Sequence, residues 1–481
     1  MNIVKISGKS LFNKSYLPFV IFAVAIFLIL FRVNFKLEAD EGVWFKILKD
    51  LGSLGFIKYY TFSWQPRIFS MLGFLFFRSN IVLWRLLSTF FATVGMFCIS
   101  KMCYMDEFGE KQFKINIFIC CLFFFIAPYV ITSGMMWVAG SLNYLWPTVV
   151  MLIALIPFIY AIYEKAVAFN LLYIVILIAT VCACYNEQTI AVLVCFGGLS
   201  IVFLFLYRRS IPKLLIFQYI LIVLNSGVFL YLSKYGDRIT QELHYYPDFR
   251  MLSIVDKIFQ GVNWTNFHFI NSSNLLFLII SVLVFVNIYQ KNKLSIPLHF
   301  FSGIPMLYNI YNIVPFNVIM KNININNSNA VYYTATTSPY SIDDVLYNNF
   351  FNTMLANPGN FNHGIKELMP TIVGFAIILY VVVLLYIAFD RKEDKFVIII
   401  LYFAALASGY VLGFSPTIFA SGSRIFYVSN ILLIFIAAKL FVQSIKSGFI
   451  YSRLIKCSFV LFAVLLWLQF VLYFPSAILW L

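Results

Sequence analysis

From its N-terminus onward the chain alternates long apolar runs with polar connections. Runs at approximately 16–33, 81–101, 115–131, 147–163, 169–184, 189–207, 213–232, 274–290, 296–313, 370–389, 396–413, 425–442 and 456–474 have the length an α-helix needs to cross about 30 Å of hydrocarbon. The ten-residue alternation of a transmembrane strand is absent. The pattern predicts an all-α polytopic membrane protein with about 13 spans, in a range of about 11 to 13, built as a single integral membrane domain over residues 1–481. The run at 296–313 is the weakest, because Pro305 and several polar groups interrupt it.

The connections differ in kind. The first outer one, 34–80, carries helix-spaced apolar residues over Trp44 to Leu54 and again over Ile68 to Phe77, separated by Trp64-Gln65-Pro66-Arg67. That spacing predicts two helices lying at the membrane interface. The other long polar stretches, 233–273 and 314–369, are dominated by asparagine and aromatic residues and read as larger extracytoplasmic loops, not independent domains. No internal repeat is found, which argues against an inverted-repeat transporter.

Composition agrees with the pattern. Of 481 residues, 62% are hydrophobic and only 11% charged, which excludes an ordinary soluble domain. The net charge of +15 would suit a polyanion, but the basic residues are scattered through short loops between apolar runs. They concentrate in the even-numbered connections, for example Lys101, Lys111, Lys165, Arg209, Lys291, Arg391 and Lys446. This is the positive-inside distribution, so the reading is a cytoplasmic N-terminus and no nucleic-acid partner. The basic lead with Lys5, Lys9 and Lys14 opens a run that continues to about Val33 without a small-residue cleavage site, as in a retained signal anchor. The 8 cysteines show neither a disulfide framework nor metal-ligand spacing.

Unusual polar groups gather on the outer side. Glu38, Asp40 and Glu41 follow the first span in Leu37–Trp44; they are either solvated loop charges or carboxylates with a chemical task. Between the third and fourth spans, Ser133–Pro147 holds Trp137, Asn143 and Trp146. This stretch can serve as an aromatic interfacial anchor, or as a re-entrant segment whose aromatic faces and amides suit a sugar ring. Glu187 lies in the short turn Cys184–Thr189, as a solvent-facing turn residue or as a carboxylate aimed into the same outer cavity as Asp40. Arg67 and Arg424 complete the set. A guanidinium forks onto phosphate oxygens, of ordinary lipids or of a substrate headgroup; Arg32, Arg78 and Arg85 are weaker candidates. The histidines at 244, 268, 299 and 363 show no paired spacing.

The early acids, the long first outer loop and the number of spans together resemble the GT-C superfamily of integral-membrane glycosyltransferases. Within it, LEADEGVW, WQPR, WVAGSLNYLWP, YNEQT and SPTIFASGSR are similar to the pattern of the bacterial and phage-encoded O-antigen glucosyltransferases of the Gtr serotype-conversion type, over about residues 20 to 430. The resemblance implies transfer of a sugar, glucose first, from a polyprenyl-phosphate donor to a lipid-linked polysaccharide such as O-antigen. It also implies a multi-pass protein of the bacterial cytoplasmic (inner) membrane with its active site facing the periplasm. The family's acids often stand as a tighter pair, and Glu38 adds a third here.

Under that reading Asp40 is the first choice of base for the acceptor hydroxyl. Glu41 or Glu38 orients the acceptor or acts with a divalent metal on the phosphate; no other cofactor is implied. Arg67 and Arg424 hold the departing polyprenyl phosphate, with Trp137, Asn143, Trp146 and Glu187 lining the substrate site. The rivals are an O-antigen polymerase or ligase and a polyprenyl-linked sugar transporter or flippase. All versions of the enzyme reading require these residues to converge on one hollow.

Overall fold

A computed structural model describes residues 14–35, 39–78, 80–103, 111–165, 171–207, 209–234, 236, 238–243, 247–271, 274–291, 295–313, 365–418, 421–446 and 453–472. Among these the regular secondary structure is all helical, with no strand. In chain order the helices are α1 (Leu17–Phe31), α2 (Asp40–Tyr59), α3 (Ile68–Phe77), α4 (Ile81–Cys103), α5 (Lys111–Phe123), α6 (Pro128–Ile131), α7 (Val138–Gly140), α8 (Trp146–Ile162), α9 (Leu171–Ala183) and α10 (Glu187–Leu206). They continue as α11 (Lys213–Ser233), α12 (Arg238–Glu242), α13 (Ile254–Asn266), α14 (Leu275–Lys291), α15 (Ile296–Ile313), α16 (Ile365–Ala388), α17 (Lys392–Tyr410), α18 (Tyr427–Lys446) and α19 (Arg453–Leu472).

The chain is an all-α membrane protein. Among the described residues seven helices are long and apolar enough to cross a bilayer, or nine when each of two bent pairs counts as one span. Shorter apolar helices accompany them at Ile68–Phe77, Leu171–Ala183, Ile372–Ala388 and Lys456–Leu472. One bent pair joins α5 to Pro128–Met136 at 88°. Pro128 opens its second limb, where a missing N–H is harmless. The other joins Ile254–Ile270 to α14 at 72°.

Two helices form the centre. α8 is apolar on all sides and buried along nearly its whole length, as a helix without a polar face must be; α18 is as deeply buried although it carries Ser429, Asn430 and Lys439. α4, α9 and α10 pack on α8, while α14 and α17 pack on α18. By contrast α1 leaves Val20, Ile21 and Val24 exposed, and α11 leaves Phe217, Ile220 and Leu224 exposed. An apolar face of that extent has hydrocarbon as its natural solvent.

The outer connections hold more helix than their sequence suggests. α2 consists of two helical segments that meet at a kink at Gly52, whose φ of 67° and ψ of 177° are not helical, and the second segment continues to Tyr59, past the expected end at Leu54. A π turn, Tyr60–Trp64, then leads into extended Gln65, and α3 covers Ile68–Phe77 as predicted. The 233–273 stretch, expected as a polar loop, instead contains α12, a 3-10 turn, α13 and a π turn. α13 buries Gln260, Asn263, Trp264 and Asn266 on one side, so its polar residues face protein. Most of 314–369 lies outside the described residues.

Ion pairs sort the connections into two ends. Arg209 pairs with Glu164 at 2.9 Å and with Glu393, and Lys291 pairs with Asp390, so four even-numbered connections meet at one end. α10 carries the chain from Glu187 to that end over 20 residues, about 30 Å of helix. At its other end lie Glu187 and residues of the odd-numbered connections.

Candidate active site

Asp40 and Glu41 occupy the first turn of α2, after Ala39 in extended conformation as its N-cap. Negative charge is favoured there by the helix dipole. Successive helical positions are about 100° apart around the axis, and the two carboxylates consequently meet different surroundings. Asp40 is exposed, whereas Glu41 is fully buried. Glu41 Oε2 accepts the Trp137 indole N–H at 2.9 Å, and its Oε1 accepts the Ala139 backbone N–H at 3.2 Å.

Asp40 is open to solvent but walled by protein. Desolvation lifts its carboxyl above the usual 3.8, and Arg424 is the strongest opposing charge; Glu242 adds to the rise, while Arg238 and Arg67 oppose it. Glu41 is likewise raised above 4.5 by burial, against the pull of its bond from Trp137.

The second half of the site is built on the start of α10. Asn186 caps that helix, accepting from Gln188 N–H at 3.0 Å and Thr189 N–H at 3.3 Å. Its own amide donates to the Asn143 carbonyl at 2.9 Å, tying the Trp-rich turn to α10. Fixed in this way, Glu187 faces Arg67 at 3.1 Å and Arg238 at 3.4 Å. Gln65 bridges the network, donating to Glu187 and accepting from Arg238, while Glu242 holds Arg238 at 2.8 Å. Arg67 keeps a buried Nε without a hydrogen-bond partner.

Arg424 enters from a 3-10 turn, Gly422–Phe426, just before α18. Its guanidinium carbon sits 5.1 Å from the centroid of the Trp137 ring, within cation–π range. The early acids, the Trp137 turn, the Asn143–Glu187 region and the late arginine thus meet at one end of the bundle.

Compared with protein-family models, with curated proteins and with solved structures, the chain matches none. The reading of this site rests on its own geometry.

Not every expected residue joins the cluster. Trp146, expected to line the substrate site, is a core residue instead: its indole donates to Ser88 Oγ at 3.1 Å and its ring stacks on Phe91 at 4.5 Å. As the first residue of α8 it packs among the helices, against α4. Glu38 lies outside the described residues. Of the weaker arginines, Arg85 is buried with Nη2 donating to the Val33 carbonyl at 2.6 Å, and Arg32 donates to the Val471 carbonyl at 3.2 Å; both close the ends of spans.

Sequence reasoning missed Arg238, Glu242 and the part played by Gln65. An i,i+4 arginine–glutamate pair in 238–242 is a detectable helix signal, but it sits in a stretch read as loop. Gln65 was visible only as part of the Trp64–Arg67 separator. Among the described residues no group of three or more His, Cys, Asp or Glu is placed to hold a metal ion.

Proposed function

We propose that this chain is a membrane glycosyltransferase of GT-C type with about thirteen spans. It moves a sugar, glucose as first choice, from a polyprenyl-phosphate donor to O-antigen or another lipid-linked surface polysaccharide at the periplasmic face of a bacterial inner membrane. The observation that carries this reading is the gathering, at one end of the bundle, of the exposed carboxylate Asp40 with Arg424 over the Trp137 ring and with Arg67 and Arg238 on Glu187.

The chemistry follows from that pairing. Asp40 takes the proton of an acceptor hydroxyl; the hydroxyl oxygen attacks the anomeric carbon, and the bond from that carbon to the phosphate oxygen breaks. The electron pair leaves with the polyprenyl phosphate, whose growing negative charge the arginines stabilise. A carboxyl held above its ordinary value is a better base near neutral pH than a free one. The donor's tail stays in lipid at about 0.8 kcal/mol per buried methylene, which suits a site at the end of a lipid-exposed bundle.

The test replaces Asp40 with Asn, verifies membrane insertion, and assays surface-polysaccharide modification. Loss of transfer with normal insertion is expected; full activity removes the base. A polymerase or ligase is the second reading, favoured by one observation: Arg238, from the 233–273 connection, belongs to the same network. Insensitivity at Asp40 with loss at Arg238 selects it.

A further inference from the structure

We infer that Glu41 is a positioning residue: through the Trp137 indole it holds the Arg424 guanidinium beside Asp40. The assignment of Arg424 to a phosphate rests on the function proposed above; the mechanical link does not.

Three facts exclude Glu41 from direct contact with a substrate and give it this task. It is fully buried, and each of its carboxylate oxygens already accepts an N–H, from Trp137 and from Ala139. Those donors stand two residues apart at the point where the chain changes direction. Trp137 is extended, between the π turn Thr132–Met136 and α7, so Glu41 grips both the ring and the backbone of the reversal.

The far side of that ring carries the load. An indole can rotate about χ2 over a broad range, and the bond from its Nε1 to Glu41 selects one orientation. In that orientation the ring face lies under Arg424. The turn is rigid enough to transmit the constraint. A Cβ on Gly140 would stand 1.9 Å from the Ser133 carbonyl oxygen, and one on Gly134 would stand 2.8 Å from the Tyr427 ring. The turn is therefore pressed against the start of α18, three residues beyond Arg424. Removing the indole N–H frees the ring, and with it the guanidinium.

Asp40 reports where Arg424 is, with no substrate needed. The charged and titratable groups around Asp40 are Arg424, Glu242, Arg238, Arg67, the adjacent Glu41 and Tyr60. The experiment measures carbodiimide labelling of Asp40 against pH by peptide mass spectrometry, on the full-length protein in detergent micelles. Arg424→Ala is expected to raise the labelling midpoint, and Trp137→Phe, which keeps the ring and every charge but lacks the N–H, to raise it less. In the double variant Trp137→Phe should add nothing to Arg424→Ala. A wild-type midpoint in Trp137→Phe, or an equal shift in both backgrounds, overturns the link. If Trp137→Phe fails to insert, Trp137→Leu, which also keeps every charge and lacks the indole N–H, replaces it, and additivity with Arg424→Ala is again the overturning result. A separate arm compares binding of decaprenyl phosphate with decaprenol. No preference for the phosphate defeats the donor reading, while the link from Glu41 to Arg424 stands or falls on the labelling midpoints alone.

Discussion

Arg67 Nη2 lies 3.1 Å from Glu187 Oε2, an ion pair between residues 120 positions apart in the chain. It fastens the link between α2 and α3 to the start of α10, and Arg238 meets the same carboxylate from α12. Glu187 thereby gathers three connections that sequence order keeps distant.

Removing that carboxylate should loosen all three. Glu187→Ala leaves two partly buried guanidinium groups facing each other, at an expected loss of about 2 kcal/mol, less than for a fully buried pair because the side chains retain some solvent contact. A denaturation midpoint in micelles equal to wild type would show that water replaces the carboxylate without penalty.

The two acids of α2 should behave in opposite ways. Asp40→Asn, at an exposed position, is expected to abolish transfer while changing stability by about 0.5 kcal/mol or less. Glu41→Ala strands the Trp137 and Ala139 N–H groups in a buried site and should cost about 1–3 kcal/mol. Parallel unfolding and activity measurements check the contrast, and equal stability losses for the two variants would contradict it.

Activity and stability should also respond to pH with opposite sign. The protein walls around Asp40 and the burial of Glu41 raise these carboxyls above 3.8 and 4.5, so the folded protein binds protons more tightly there than the unfolded chain. The contribution of these two groups to stability is therefore greatest below those ordinary values and falls as pH rises through the raised ones. Transfer needs ionised Asp40 and should be lost as pH falls through its raised value. A pH–rate profile should show this acid limb above pH 3.8, and Arg424→Ala should move the limb upward. A limb that ignores Arg424 would dissociate the arginine from the base.

At the opposite end of the bundle, Lys439 Nζ stands 2.9 Å from Asp394 Oδ1 and 2.9 Å from the Tyr163 hydroxyl, with both charged side chains buried. Lys439→Met strands a buried carboxylate and should cost about 3–5 kcal/mol, whereas Lys439→Met with Asp394→Leu should recover much of that loss. Thermal unfolding of the single and double variants decides this; an unrescued double variant would mean that the pair does more than neutralise itself.

Particular elements show how far the chain could be read in advance. The apolar runs at 81–101, 189–207 and 425–442 became α4, α10 and α18, because burial in lipid or in a lipid-facing bundle leaves a backbone only the helix to satisfy its polar groups. Trp137 and Trp146 looked alike as aromatic residues nine positions apart, and one lines the site while the other fills the core. Periodicity cannot separate them where α8 is apolar on every side.

By itself the sequence determined the class of protein, most of the helices, and the collection of acids and arginines at one set of connections, since those follow from local hydrophobicity and from the alternation of spans. Only the tertiary structure decided that Asp40 stands open while its neighbour Glu41 is enclosed, and that Arg238 shares Glu187 with Arg67. Those outcomes depend on which helix packs against which, a relation between distant residues that no local pattern encodes.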